Sequence, residues 1–366
     1  MDKLFRLVTV IGFLLLYCFD FGPRQGVAAS STRQEQEKTT EQVYHNIQVL
    51  KGLPAPQLQA IMALVTGSLG VRCNYCHVNP FNKDDKATKR TARMMMQMVF
   101  DLNKGSFSGK DAVTCYTCHR GRAKPEAVMP LGQNLWQSPA PAGAKTEAEL
   151  PSVEQVIDRY EQAIGGRAAL SKITSRIMKG SRVGADGVLV PEDVFQKAPN
   201  KLLVITSYPD VVFRSGFNGK SGWARSSKGD SQIGNEQLAE IVRDAESYGN
   251  TRIRELYSQL AVEGRATIGD REAFLVGATT RGGLSEKLYF DAQTGLLIRR
   301  YRESKTALGA FPTQTDYDDY KEVDGVKLPF GIRWSMPGRS WGRKVAEVKQ
   351  NTVIDDAIFN PPVSKN

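Results

Sequence analysis

Histidine is the scarcest chemistry-bearing residue in this chain, with three among 366 residues, at positions 45, 77 and 119. Cysteine is nearly as rare: there are five, and the last is Cys118. No imidazole or thiol therefore follows His119, which excludes His-dependent triads, thiol nucleophiles and ordinary zinc sites from residues 120–366. Carboxylates do occur there, as at Asp316, Asp318 and Asp319, but no paired set stands out for acid–base work. Long apolar runs are also lacking. The longest, Leu7 to Phe19, is too short for a stable bilayer-spanning anchor. A net charge of +10 and a pI near 9.3 would suit a polyanionic partner, yet no basic–aromatic interleaving accompanies them. Nucleic-acid binding is set aside on that ground.

What is present begins with a leader. Lys3 and Arg6 precede the apolar run, and small residues, Val27-Ala28-Ala29, follow it. This has the form of a secretory signal peptide over residues 1–29, cleaved after Ala29. A retained anchor is the alternative. Cys18 raises a lipoprotein reading, which the bulky Tyr17 before it opposes. The expected location is periplasmic or otherwise extracytoplasmic, with membrane association left open. Export would favour disulfides, but the four cysteines beyond the leader all sit in two Cys-x-x-Cys-His units.

The length calls for more than one domain. Residues 38–50 and 55–69 carry helical periodicity; in the second, Leu58, Met62, Val65 and Leu69 form one apolar stripe. A third helix is expected over 86–103, ending at Asn103-Lys104-Gly105. Residues 30–124 thus read as an all-α, loop-rich domain. Residues 125–151, punctuated by Pro125, Pro130, Pro139, Pro141 and Pro151, read as a linker. Residues 152–366 open with a capping box, Ser152-Val153-Glu154-Gln155, and a helix that stops at Gly165-Gly166. Turn signals then recur at Asp186-Gly187, Asn218-Gly219, Gly269-Asp270, Asp291 to Gly295 and Asp324-Gly325. The expectation is an α+β domain, a long antiparallel sheet with a few helices on one face, interrupted by helix at about 234–258.

The chemistry lies in Cys73-Asn74-Tyr75-Cys76-His77 and Cys115-Tyr116-Thr117-Cys118-His119. Two thiols three residues apart can form thioethers to the vinyl groups of a porphyrin, and the next His can reach its iron. A four-thiolate zinc site is the competing reading. The histidines decide against it, because two of the chain's three directly follow a Cys-x-x-Cys pair. Two covalently bound haem c groups are therefore expected, with His77 and His119 as iron ligands. Each iron then takes a sixth ligand or keeps an open position. His45 is the only spare imidazole, read as a solvated surface group on the first helix. Methionine is the better source: Met62 precedes the first motif, and Met94, Met95, Met96 and Met98 precede the second. Helical geometry alone does not select among these four.

Four segments carry a resemblance: Val43-Tyr-His-Asn-Ile-Gln-Val-Leu50, Gly70-Val-Arg-Cys-Asn-Tyr-Cys-His77, Thr91-Ala-Arg-Met-Met-Met-Gln-Met98 and Val113-Thr-Cys-Tyr-Thr-Cys-His-Arg-Gly121. Residues 40–125 resemble one half of the four-haem cytochrome c subunit of photosynthetic reaction centres. The resemblance implies a helix bearing an axial Met before each motif, with Met62 opposite His77 and Met95 opposite His119, Met98 in reserve. It departs from that family in offering two haem sites rather than four, and in lacking a histidine between Ser106 and Ala112. A general electron-transfer role is thereby favoured over reaction-centre docking. The hairpin series after residue 152, with its ending Val353-Ile-Asp-Asp-Ala-Ile-Phe-Asn-Pro-Pro362, resembles the outer-membrane lipoprotein-carrier fold. That resemblance implies a curved antiparallel sheet and an apolar or lipid-like ligand, or a docking surface; a filled core is the alternative. Residues 31–125 hold 14 basic against 7 acidic residues, an excess that would orient an acidic redox partner. The function expected is single-electron transfer. A two-haem peroxidase and a haem redox sensor controlling the second domain are the competing readings.

Overall fold

The computed structural model describes residues 38–125 and 150–362, except 185, 228, 231–237, 239–240, 243 and 246–251. The expected signal segment and most of the expected linker lie outside the described residues. The described residues belong to a single compact unit.

Between residues 38 and 125 the regular elements are helices, with one isolated bridge between Thr39 and Pro54. Helix α1 (Thr40–Val43) is far shorter than the 38–50 helix that periodicity suggests. Its first turn is tied back to a later stretch of chain. The Thr40 amide donates to Leu53 O (2.8 Å), and the Gly52 amide donates to the Glu41 carboxylate (2.8 Å). Asn46 then adopts φ 61°, a left-handed conformation that ends any helix. These contacts outweigh the intrinsic preference of an isolated turn.

Helix α2 (Gln57–Leu69) and helix α3 (Ala87–Gly105) occupy the expected stretches. The buried face of α2 runs through Ala60, Ile61, Leu64, Val65 and Ser68, so of the sequence stripe Val65 is buried, while Leu58, Met62 and Leu69 are half-buried to one side. A helix apolar on more than one side must be covered on more than one side. Helix α4 (Cys115–His119) is the second motif itself.

Helix α5 (Val153–Ala163) begins as its capping box requires: the Gln155 amide donates to Ser152 Oγ (3.2 Å), and the Ser152 amide to Gln155 Oε1 (2.8 Å). It is followed by α6 (Gly166–Leu170) and six strands: β1 (Ser175–Val183), β2 (Leu189–Lys197), β3 (Lys201–Ser207), β4 (Val212–Phe217), β5 (Gly222–Ser226) and β6 (Gly229–Asp230). Of the helical interruption expected at 234–258, positions 238, 241–242 and 244–245 and the short helix Ile253–Leu256 are described as helical. Seven strands complete the chain: β7 (Tyr257–Ile268), β8 (Arg271–Thr280), β9 (Ser285–Asp291), β10 (Leu297–Thr306), β11 (Gly309–Val323), β12 (Val326–Met336) and β13 (Arg339–Gln350).

All thirteen strands join one antiparallel sheet, ordered β6-β5-β4-β3-β2-β1-β13-β12-β11-β10-β9-β8-β7. The chain meanders outward from β1, crosses to the far edge at β7, and meanders back until β13 pairs with β1. All five expected turn signals fall between consecutive strands. At Asp324-Gly325 both residues take positive φ, 49° and 77°, as a two-residue hairpin turn demands.

Helix α5 lays Val156, Ile157, Tyr160 and Ile164 across Val276, Leu288, Phe290, Leu297 and Tyr317 of β8 to β11. Full burial of each such side chain contributes about 1.5–3 kcal/mol. Ile241 and Ala245 cover Val194, Leu202 and Phe217, while Leu203, the next residue along β3, points to the other face. There it packs with Trp223 against Ile354 and Phe359, and Trp223 Nε1 donates to Phe359 O (2.8 Å). The sheet is thus packed on both faces, not on one alone. Among the described residues, no helix is long and apolar enough to cross a membrane.

Candidate functional site

Each Cys-x-x-Cys-His unit folds into a single tight turn. Cys73–Tyr75 is one turn of 3-10 helix, and Cys115–His119 is one turn of α-helix. A helical turn places i and i+3 on one side, so both thiols of a pair face the same way. None of the four thiols is in a disulfide. Burial pushes the Cys76 thiol up, against smaller opposing effects of Thr88 and Lys86; burial likewise pushes Cys115 up.

The two histidines are held alike. His77 Nδ1 lies 3.0 Å from Phe81 O, and His119 Nδ1 lies 2.9 Å from Arg122 O. A carbonyl oxygen only accepts, so Nδ1 carries the proton in both, and each Nε2 keeps its lone pair for a metal. Such an anchored Nδ1–H is the usual outer support of a ligating imidazole. The His77 ring also stacks on Phe81, with centroids 5.0 Å apart.

A cavity of about 510 Å³ opens beside the first motif, within the range of organic cofactor pockets. Met62 on α2 lines it together with Cys73, Cys76 and His77. Leu58, Met62 and Val65 of the sequence stripe all line this cavity as well as packing on the neighbouring core, and with Met96 and His45 the lining brings two thioethers, two thiols and two imidazoles to a common, largely apolar space. That donor set fits a thioether-linked haem with His and Met as axial ligands. His45 also lines the cavity while remaining exposed to solvent, placing it at the rim and not on the outer side of a long helix.

The basic stretch after the first motif does more than coat a helix. Lys89 is 8% exposed, and its Nζ donates to Phe81 O (2.9 Å) and Lys83 O (2.7 Å) and pairs with Asp84 (3.0 Å). Arg93 pairs with the same carboxylate (3.0 Å) and donates to Asn46 O (3.1 Å). Arg93, Asn46 and Lys89 together hold the Asp84 carboxyl well below the usual range. The carbonyl that orients His77 is therefore itself held by Lys89. Sequence reading missed this, because three charges within ten residues look the same whether solvated or turned inward.

The second motif is seated differently. Asn103 of α3 clamps the approach to it, donating from Nδ2 to Val113 O (2.8 Å) and accepting from the Val113 amide (2.9 Å). Of the four clustered methionines, Met96 is buried and lines the first cavity, whereas Met95 and Met98 are 38% and 41% exposed on another face of α3. Met94, Leu102, Phe107 and Tyr116 are exposed as well. The two motifs also touch through their flanks. The Gly121 amide donates to Ser68 O (2.8 Å), and Gly70, at φ 65°, leaves a Cβ no room, since one would lie 2.1 Å from Gly121 O.

Residues 23–155 match the family model of the photosynthetic reaction centre cytochrome C subunit. The chain is 34% identical over 150 residues to the photosynthetic reaction center cytochrome c subunit of Thermochromatium tepidum, covering 36% of each chain. It is 36% identical over 103 residues to cytochrome c-554 of Chloroflexus aurantiacus, covering 26% of this chain and 24% of the relative. The chain thus spans well under two thirds of the length of the curated relatives it matches. In solved structures, a LolA superfamily protein from Nitrosomonas europaea aligns with 58% of this chain and 99% of its own, at 10% identity and a TM-score of 0.37. A DUF1329 family protein from Desulfovibrio piger aligns with 57% of this chain and 97% of its own, at 11% identity and a TM-score of 0.42.

Proposed function

We propose that this chain is a c-type cytochrome that carries single electrons through two haem c groups. Cys73 and Cys76 would attach the first, with His77 and Met62 to ligate its iron. Cys115 and Cys118 would attach the second, with His119 and Met95 as ligands and Met98 in reserve. The observation that carries this reading is the cavity in which Met62, Cys73, Cys76 and His77 meet, with His77 Nδ1 anchored so that Nε2 is free. Bound haem supplies a one-electron iron couple, and a thioether ligand raises its potential by favouring the reduced state. The chain's own residues do the rest: Phe81 O and Arg122 O orient the imidazoles, while the Lys89–Asp84–Arg93 cluster holds the loop that closes the first cavity.

In this reading, residues 30–124 are the helical haem-bearing domain and residues 152–366 the sheet domain, working outside the cytoplasm. The basic excess around the haem unit suits an acidic redox protein as partner. The sheet domain offers an apolar or lipid-like ligand, or a partner, a place to bind. Haem quantification on the purified chain tests the central claim. Two covalent haems per chain are expected, both with the spectrum of His–Met coordination. A chain with bound zinc and no haem would overturn it, and a five-coordinate haem reacting rapidly with peroxide would replace electron carriage by catalysis.

A further inference from the structure

The haem-bearing helices and the sheet share one core. Leu308 and Phe311, at the tip of the β10–β11 hairpin, are 1% and 3% exposed. They pack in one cluster with Leu64 and Val65 of α2, Met96 and Val99 of α3, and Cys115 of the second motif. Val65 and Met96 also line the first cavity, and Cys115 is a proposed attachment point of the second haem. Two side chains from the sheet therefore sit behind both haem sites at once. The neighbouring β12–β13 turn adds a backbone contact. A Cβ on Gly67, five residues after Met62, would lie 2.7 Å from Gly338 N and 2.9 Å from Pro337. The hairpin also reaches α4, since a Cβ on Gly309 would lie 2.6 Å from Thr114 Cγ2.

We propose that Leu308 and Phe311, together with the β12–β13 turn against Gly67, are positioning residues for electron transfer: the sheet domain fixes α2, α3 and the second motif relative to one another, and so sets the haem potentials. The inference rests on the two-haem reading of residues 40–125. Close packing is what gives it force. Dense cores transmit small displacements instead of absorbing them, and axial ligation answers to small displacements of Met62 and Met95. Leu308 and Phe311 are the buried side chains that the sheet contributes to this cluster, with Ala307 and Met336 packed beside them.

The test uses the full-length, haem-loaded chain, with potentials, near-infrared His–Met bands and thermal stability measured together. The variants are Phe311→Ala, Phe311→Leu and Gly67→Ala, with Gly105→Ala as control, since a Cβ at Gly105 meets nothing within 4 Å. Phe311→Ala and Gly67→Ala should change the relative affinity of Met for oxidised and reduced iron about tenfold, or 59 mV for one electron. Phe311→Leu should recover most of the shift, and Gly105→Ala should show none. Lower stability with unchanged potentials in Phe311→Ala and Gly67→Ala would overturn the proposal and leave the hairpin a merely structural support.

A protease site inserted within residues 126–149 gives a second measurement that needs no core substitution. After cleavage, the two pieces should co-elute with potentials unchanged, because the shared core still holds them. Separation into a haem-bearing piece with native potentials would overturn the proposal. A chain carrying no covalent haem would instead refute the two-haem reading, so the two failures are distinguishable.

Discussion

Lys89→Met is the most informative substitution near the first motif, because it keeps the volume of a side chain only 8% exposed and removes its charge. Two carbonyls lose their donor: Phe81 O, which also accepts from His77 Nδ1, and Lys83 O. Hydrogen bonds to a charged group are each worth about 1.5–3 kcal/mol. Phe81 and Lys83 are exposed, so water can replace part of the loss, and the low end applies to each. The expected destabilisation is about 3 kcal/mol for the two bonds together. In a unit of this size, that lowers the melting temperature by about 4 °C. Asp84 keeps Arg93, so the loop should loosen without unfolding. The loosening should reach His77 through the Phe81 carbonyl, broadening the axial-ligand spectrum of the first haem while the second is unchanged. Thermal unfolding of the haem-loaded protein, followed at a haem band and by far-ultraviolet dichroism, measures both. A melting temperature within 1–2 °C of the parent, with an unaltered spectrum, would show that Lys89 is a surface charge and that the anchoring argument is wrong.

Met62→Ala and Met95→Ala should each convert one haem from six- to five-coordinate, seen as loss of one His–Met band; if Met95→Ala is silent, Met98→Ala should show the loss. In the sheet, Glu192 is buried with Arg343 (2.6 Å), Arg182 (3.6 Å) and the Thr206 hydroxyl, so Glu192→Gln should cost about 3–5 kcal/mol in denaturant unfolding near neutral pH. Burial raises the Glu192 carboxyl, but Arg343 and Arg182 pull harder and leave it below its ordinary value. Its stabilisation is therefore present above the unfolded carboxylate pKa of about 4.3 and fades as pH falls through the lower folded value. Glu192→Gln should flatten the acid limb of the stability–pH curve in that window, and an unchanged limb would count against the assignment. Gly70→Ala combines a left-handed backbone, costing about 1–2 kcal/mol, with a clash against Gly121 O. It should disturb both haem spectra together; an effect confined to one would mean that the two motifs are not coupled at this contact.

Much of this protein is decided within short stretches of chain. The thiol and imidazole spacing of Cys73 to His77 and Cys115 to His119 is covalent, so no packing can add or remove it. The Ser152–Gln155 capping box and the Asp324-Gly325 turn likewise draw their stability from partners at most three residues away. The helical stretches 57–69 and 87–105 follow from periodicity. The same periodicity misleads at 38–50, where bonds from Thr40 and Glu41 to residues 52–53 close a loop in place of a helix.

Other features depend on residues distant in sequence, and only the tertiary structure supplies those. The apolar stripe of α2 could face core or cofactor. The cavity assigns Met62 to the cofactor side, and Ile61 and Leu64 to the core. Lys89 and His45 read as solvated in a one-dimensional pattern, yet one is turned inward on loop carbonyls and the other stands at the cavity rim. Strand order belongs here too, because the pairing of β13 with β1 joins residues more than 150 positions apart, and turn signals speak only for consecutive strands. The meeting of Leu308 and Phe311 with Cys115 reaches further along the chain than that pairing. The two thiol pairs are written in the chain, while what stands behind them comes from a hairpin almost 200 residues later. Burial of apolar surface is blind to sequence distance, and only the closed fold shows which surfaces it joins.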